Sequence, residues 1–218
     1  MNTAQPKAIM VDVDGVVVHP NDSRGWSATM EDDIGLPYEA LRSEFFAPHF
    51  GDIVVGRAAL RDRLAPVLAR IAPGLDCDTV CEYWFSHDAR LDHDLLGQLA
   101  ALRADGVAVH LATVQETERA EYLWNRLGLR DHFDAMHYSA ALGHAKPAPE
   151  FYSSIEDITG YVAGDLFFVD DRPANVAAAR DRGWAAAVWT GRDTLADLIA
   201  GTTRGARQPL PRKRSHGR

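Results

Sequence analysis

Cysteine is nearly missing from these 218 residues: Cys77 and Cys81, four apart, leave no material for a disulfide framework or a four-cysteine zinc site, and point to a reducing compartment. Long hydrophobic runs are missing too. The first apolar stretch, Ala8 to Val11, stops at Asp12, too short for a leader core or a membrane span, so we expect a cytoplasmic protein with no membrane partner. Internal repeats and low-complexity tracts are absent, and the nine histidines show no metal-ligand spacing. Acid is missing only from the last 18 residues, which carry six Lys or Arg, whereas residues 1–200 hold 17 basic against 31 acidic side chains. The whole chain stands at −8. An acidic body repels a phosphate backbone, which argues against nucleic acid as a partner and requires that any phosphorylated ligand be neutralised locally.

What is present, 46% hydrophobic and 25% charged residues, is ordinary globular composition for one compact unit with room for an insertion. Five short apolar segments read as strands: Ala8–Val11, Val107–Ala112, Ala135–Tyr138, Leu166–Val169 and Ala185–Trp189. None alternates cleanly, as expected of strands covered on both faces. Helical patterns at Glu116–Leu127, Pro149–Ile158 and Pro173–Arg182 separate the last four, with Pro149 and Pro173 where a first turn begins and Gly128 and Gly183 just past helix ends. This order predicts the α/β class, a parallel sheet wound with helices. Residues 19–91 show helical patterns at Tyr38–Phe46, Arg57–Ile71 and Asp76–His87 and no convincing strand, so they read as a helical insertion after the first strand. Residues 201–218 read as a basic, disordered tail.

Chemistry gathers where the strands end, the usual place for sites on open parallel sheets. The first strand delivers Asp12-Val13-Asp14-Gly15, two carboxylates two apart that can face one ligand. A calcium loop is excluded, because its later ligand positions hold Val16, Val17 and Ser23. The second strand ends at Thr113, a proline-flanked loop presents Lys146, and an apolar strand runs into Asp170-Asp171 ahead of a helix bearing Asn175. Taken singly, a threonine at a strand end and a surface lysine are idle residues. Several carboxylates near one point repel by roughly 4 kcal/mol per pair at 4 Å and an effective dielectric of about 20, so their convergence demands a cation.

In this order, and with Thr113, Lys146 and Asp170 following 101, 33 and 24 residues apart, the four segments resemble the haloacid dehalogenase-like hydrolase superfamily. The likeness covers about residues 7–200 and extends to the phrase Glu121-Tyr122-Leu123-Trp124-Asn125-Arg126-Leu127-Gly128-Leu129. It implies a Rossmann-like sheet over residues 1–18 and 92–200, and makes residues 19–91 a helical cap that opens about hinges near Val17–Pro20 and Leu91–Asp94. By the same resemblance Asp12 is the nucleophile of a phosphatase, forming an aspartyl-phosphate, and Asp14 is its acid and base. Thr113 and Lys146 would bind the phosphoryl group. Asp12, the Asp14 carbonyl, Asp170 and Asp171 would hold Mg2+, with Asp171 the better match to the direct ligand and Asn175 supporting from behind.

The resemblance further implies a small phosphorylated metabolite, such as a sugar phosphate, as substrate, and a monomer or homodimer. Dehalogenases of the superfamily lack the second aspartate of the first motif, so Asp14 argues for phosphate chemistry. A sugar phosphomutase and a catalytically inactive binding module share the remaining pattern. Of the cap residues, Leu41, Phe45, Leu60, Leu64 and Leu68 lie at helical spacing and read as cap core. Trp26, in a polar loop soon after the first motif, is the preferred substrate gate. Cys77 and Cys81 share a helix face and read as packing.

Overall fold

The computed structural model describes residues 5–205, with side chains as far as Thr202. Its strands are β1 (Ala8–Val11), β2 (Val18–His19), β3 (Arg90–Leu91), β4 (Ala108–Thr113), β5 (Ala135–Tyr138), β6 (Leu166–Asp170) and β7 (Ala185–Val188). Five of them form one parallel sheet in the order β5-β4-β1-β6-β7, and β2 pairs antiparallel with β3. The central strand β1 is flanked on both sides, Val11 lying opposite Leu111 of β4 and Val169 of β6.

The lack of alternation in the strands has a simple cause. Ile9 and Val11 enter one apolar cluster with Leu95, Leu99, Leu123 and Leu195, whereas Ala8 and Met10 enter another with Phe151, Ile155, Val176 and Ala179. Both faces of the sheet are therefore buried by helices, and each fully buried aliphatic side chain contributes about 1.5–3 kcal/mol. Pro149 and Pro173 occupy first helical turns, in Pro149–Thr159 and Pro173–Asp181. The chain runs from β1 to β4 and β5 on one side, then returns to β6 and β7 on the other. The strand order thus reverses about β1, and the carboxyl ends of β4, β1 and β6 lie side by side at the point of reversal.

Residues between β2 and β3 build their own apolar core, in which Leu41, Phe45, Leu60, Leu64 and Leu68 are all buried with Met30, Leu36 and Phe85. Several elements differ from the sequence reading. The strands β2 and β3 were not foreseen, because two residues each, one of them His19 or Arg90, carry no periodic signal. The helices Met30–Ile34, His93–Ala104 and Leu195–Gly205 also went unread. Helical structure therefore continues past residue 200, and the rest of the expected tail, 206–218, lies outside the described residues. Two runs change pitch: Tyr38–Leu41 passes into a π-helical turn at Arg42–Phe46, and Thr117–Glu121 into one at Tyr122–Arg126. Such turns shift the helical face and are invisible to a 3.6-residue pattern.

Among the unexpected core features is a pair of buried imidazoles, His110 Nδ1 and His137 Nε2, 3.0 Å apart on β4 and β5. Burial lowers both, His137 to about 4, with His110 contributing. A histidine depressed in the folded state stabilises above its unfolded value of about 6.5 and loses that contribution as pH falls toward 4. Raised carboxyls such as Asp12 act in the opposite sense over the same interval, so the pair is read by difference: the urea midpoint of the His110→Leu/His137→Leu double variant is expected to rise relative to wild type between pH 7 and pH 5. A difference between the two proteins that does not change with pH would remove the pair as the cause.

Candidate active site

Asp12 follows β1 directly, and its N–H still continues the ladder by donating to Val169 O at 3.0 Å. The chain then turns sharply: Val17 and Val18 donate to Val13 O, and Gly15 sits at φ +79°. The positive φ favours glycine there, and a Cβ would stand 2.8 Å from Asp171 Oδ2, so any other residue would also have to displace that side chain. The first motif and the acidic pair are therefore in contact distance through a residue with no side chain.

Asp12, Asp170 and Asp171 each offer an oxygen within 4.8 Å of the others. Lys146 reaches into this group from the loop before Pro149, with Nζ at 2.8 Å from Asp12 Oδ1, 2.6 Å from Asp170 Oδ2 and 2.9 Å from Ala112 O. Its side chain is 1% exposed. Asp170 has no exposure and is held on all sides, accepting from Lys146, from Asn175 Nδ2 at 3.0 Å to each oxygen, and from the Arg172 N–H at 2.8 Å. Asn175 therefore braces Asp170. Asp171, on the loop beyond β6, is solvent-exposed.

Burial pushes the Asp12 carboxyl up to about 7 against the pull of Lys146, with Asp170 adding to the rise. Burial and Asp170 raise Asp171 in the same direction. One lysine thus under-neutralises three carboxylates, and an all-oxygen donor set with surplus negative charge suits a hard divalent cation. Thr113, the last residue of β4, is completely buried, yet its Oγ1 finds no hydrogen-bond partner among the described residues. A buried hydroxyl left unpaired is costly, and this one stands at the end of a strand next to β1.

Asp14 lies outside the three-carboxylate group. Its Oδ2 accepts from Gln115 Nε2 at 2.6 Å, and its Oδ1 stands 3.7 Å from Arg119 Nη2. Neither Gln115 nor Arg119 was singled out from the sequence, although Glu116 there is a readable helix start that accepts from the Glu118 and Arg119 N–H groups. Trp26 is placed by its aromatic neighbours against the apolar cluster between β2 and β3, stacked on Trp84 at 5.5 Å and edge-on to Tyr38 at 5.4 Å. It also lines a cavity of about 450 Å³ with Asn21, Asp22, Ser23, Thr29 and His87. Cys81 is buried, which pushes its thiol up to about 12 and leaves it a packing residue.

Residues 6–183 match the family model of haloacid dehalogenase-like hydrolases, and the chain belongs to that family. It is 29% identical over 195 residues to the phosphoglycolate phosphatase of Rhodospirillum rubrum, covering 82% of this chain and 77% of the relative. Among solved structures it is similar to a HAD family enzyme of Bacteroides thetaiotaomicron, with TM-score 0.75 and 16% identity over 90% of this chain and 99% of that one. The same enzyme in complex with magnesium and inorganic phosphate matches at TM-score 0.73 and 17% identity, over 88% and 98% of the two chains. The L-2-haloacid dehalogenase of Xanthobacter autotrophicus matches at TM-score 0.61 and 21% identity, over 91% and 84%. At these identities the structural likeness concerns the fold. Among the described residues no helix is long and apolar enough to cross a membrane.

Proposed function

We propose that the chain is a magnesium-dependent phosphomonoester hydrolase that turns over a small phosphorylated metabolite through an aspartyl-phosphate on Asp12. The observation that carries this reading is the convergence of Asp12, Asp170 and Asp171 around a buried Lys146, with the unpartnered Thr113 hydroxyl at the end of the neighbouring strand. The phosphoglycolate phosphatase relative and the magnesium-and-phosphate complex of the structural neighbour support the same chemistry.

In this reading an Asp12 carboxylate oxygen attacks phosphorus and the ester bond breaks, while Asp14 gives its proton to the departing alkoxide. Asp14 then takes a proton from the water that attacks the aspartyl-phosphate, releasing inorganic phosphate and restoring Asp12. Thr113 Oγ1–H and Lys146 Nζ donate to phosphoryl oxygens as charge builds on them. Asp12, Asp171, the Asp14 carbonyl and, less directly, Asp170 would hold magnesium, which when bound offsets carboxylate charge and lets a dianionic phosphate approach. The extensive engagement of Asp170 by Lys146, Asn175 and Arg172 favours exposed Asp171 as the direct ligand. We assign residues 1–18 and 92–200 to the catalytic core and the inserted 19–91 to a cap that selects the substrate.

The test is phosphate release from an aryl phosphate and a panel of metabolite phosphates, phosphoglycolate and sugar phosphates included, with magnesium and with chelator. Metal-dependent release supports the reading; release that persists in chelator contradicts the metal's role. Thr113→Val probes the phosphoryl cradle separately. Because the hydroxyl is already unpaired, folding stability is expected to hold or rise slightly, while kcat falls by about 100-fold, the scale of losing one transition-state donor. A loss of stability with unchanged kcat would mean that Thr113 serves packing alone.

A further inference from the structure

Burying an arginine is expensive, and Arg119, 1% exposed, is among the largest fully buried side chains of the molecule. Its guanidinium is fixed by Nη1 to Phe85 O at 3.0 Å and Nη2 to Asp88 O at 2.6 Å, with Asp88 Oδ2 at 3.2 Å and the Phe85 ring 5.6 Å away. These contacts tie it to the end of the helix Cys77–His87 and explain why it is rigid. They do not explain why its Nη2 also lies 3.7 Å from Asp14 Oδ1.

Gln115 supplies the matching half. It is 4% exposed, and its backbone is anchored on Ser139: the Gln115 N–H donates to Ser139 Oγ at 3.0 Å, while Ser139 Oγ–H donates to Val54 O at 2.6 Å. Ala140 N–H closes the anchor by donating to Gln115 O at 3.1 Å. The side-chain amide then donates to Asp14 Oδ2 at 2.6 Å. The Asp14 side chain is half exposed, and among the described residues these two side chains are its hydrogen-bond and ion-pair partners. One buried amide and one buried guanidinium, four residues apart in sequence, thus address opposite oxygens of a single carboxyl.

We infer that Gln115 and Arg119 are positioning residues for Asp14, holding its carboxyl in the orientation from which it serves the leaving group. This rests on the phosphatase reading above. Neither residue touches phosphate or metal in this account; both act through Asp14.

The consequence is a dependence on leaving group. An aryl oxide departs with little help, whereas an alkoxide needs the proton, and general-acid assistance is worth about 100- to 10,000-fold. The experiment compares kcat/KM, which reports the step that breaks the ester bond, for p-nitrophenyl phosphate and for an alkyl phosphate monoester in wild type, Gln115→Met and Arg119→Lys. Each substitution is also made on Asp14→Asn. The expected result is a loss on the alkyl ester at least about tenfold larger than on the aryl ester, and less than about twofold further loss once Asp14 is already asparagine. Gln115→Met, close in volume and shape, keeps the test valid should Arg119→Lys fold poorly. Equal losses on both esters, or losses that multiply fully with Asp14→Asn, would overturn the inference while leaving the phosphatase intact. A wild-type protein that releases phosphate from no ester would instead overturn the reading on which it rests.

Discussion

Lys146→Met is expected to remove turnover and to lower the melting temperature in chelator by about 10 °C, a combination that few single substitutions at an active site produce. The stability loss follows from burial: the ammonium lies between two carboxylates, 2.8 Å from Asp12 and 2.6 Å from Asp170, with 1% of its side chain exposed. Removing one partner of a buried ion group typically costs about 3–5 kcal/mol, and a chain of this size loses about 2–4 °C per kcal/mol. The pH dependence carries a sign that distinguishes this cause. Asp12 is already raised to about 7 by burial, and a carboxyl raised in the folded state gives stability that is present below its unfolded value and lost as pH rises. Without Lys146 that rise grows, so the variant should be least impaired near pH 5 and most impaired near pH 8. Magnesium should restore part of the melting temperature by supplying charge to the same carboxylates. Arginine is not expected to substitute, since a planar fork cannot replace a point charge with three acceptors around it. A Lys146→Met protein that melts like wild type would show that the carboxylates do not depend on this cation.

Asp12→Asn separates chemistry from folding in the opposite way. The amide keeps the shape but not the nucleophile, and loss of a nucleophile in covalent catalysis costs about 10,000-fold or more. Stability should not follow activity. Replacing a buried carboxyl whose ionisation is disfavoured by burial and by Asp170 is expected to leave the melting temperature in chelator at pH 8 equal to or above that of wild type. The rise on adding magnesium should shrink, because one of the three clustered negative charges is lost and a neutral amide oxygen is a weaker ligand. Metal-dependent turnover within tenfold of wild type would sink the assignment of Asp12.

The sheet was legible because its strands are continuous apolar runs that must be covered on both faces, and Ala8–Val11 and Ala135–Tyr138 have the bounds read from sequence. The order and strand-end placement of Asp12, Lys146, Asp170 and Asp171 were legible, and these side chains lie together, with Thr113 at the end of the strand beside β1. What escaped was carried by elements without periodicity. β2 and β3 are two residues each, and the π-helical turns displace side chains from the faces that helical spacing assigns. Gln115 and Arg119 escaped because a glutamine in a loop and an arginine on a helix read as solvated residues until burial is known. Asn175 was named through the family resemblance, but which carboxylate it braces depends on the turn at Asp170–Arg172.

A covalent phosphoryl group on Asp12 is tested most directly by a rapid acid quench of the magnesium-loaded protein turning over a radiolabelled phosphate ester, followed by peptide mapping. Label is expected on the peptide containing Asp12, released by hydroxylamine as an acyl phosphate is, and absent from Asp12→Asn. Steady release of phosphate with no protein-bound label on that peptide, under quench times short enough to catch the first turnover, would contradict it.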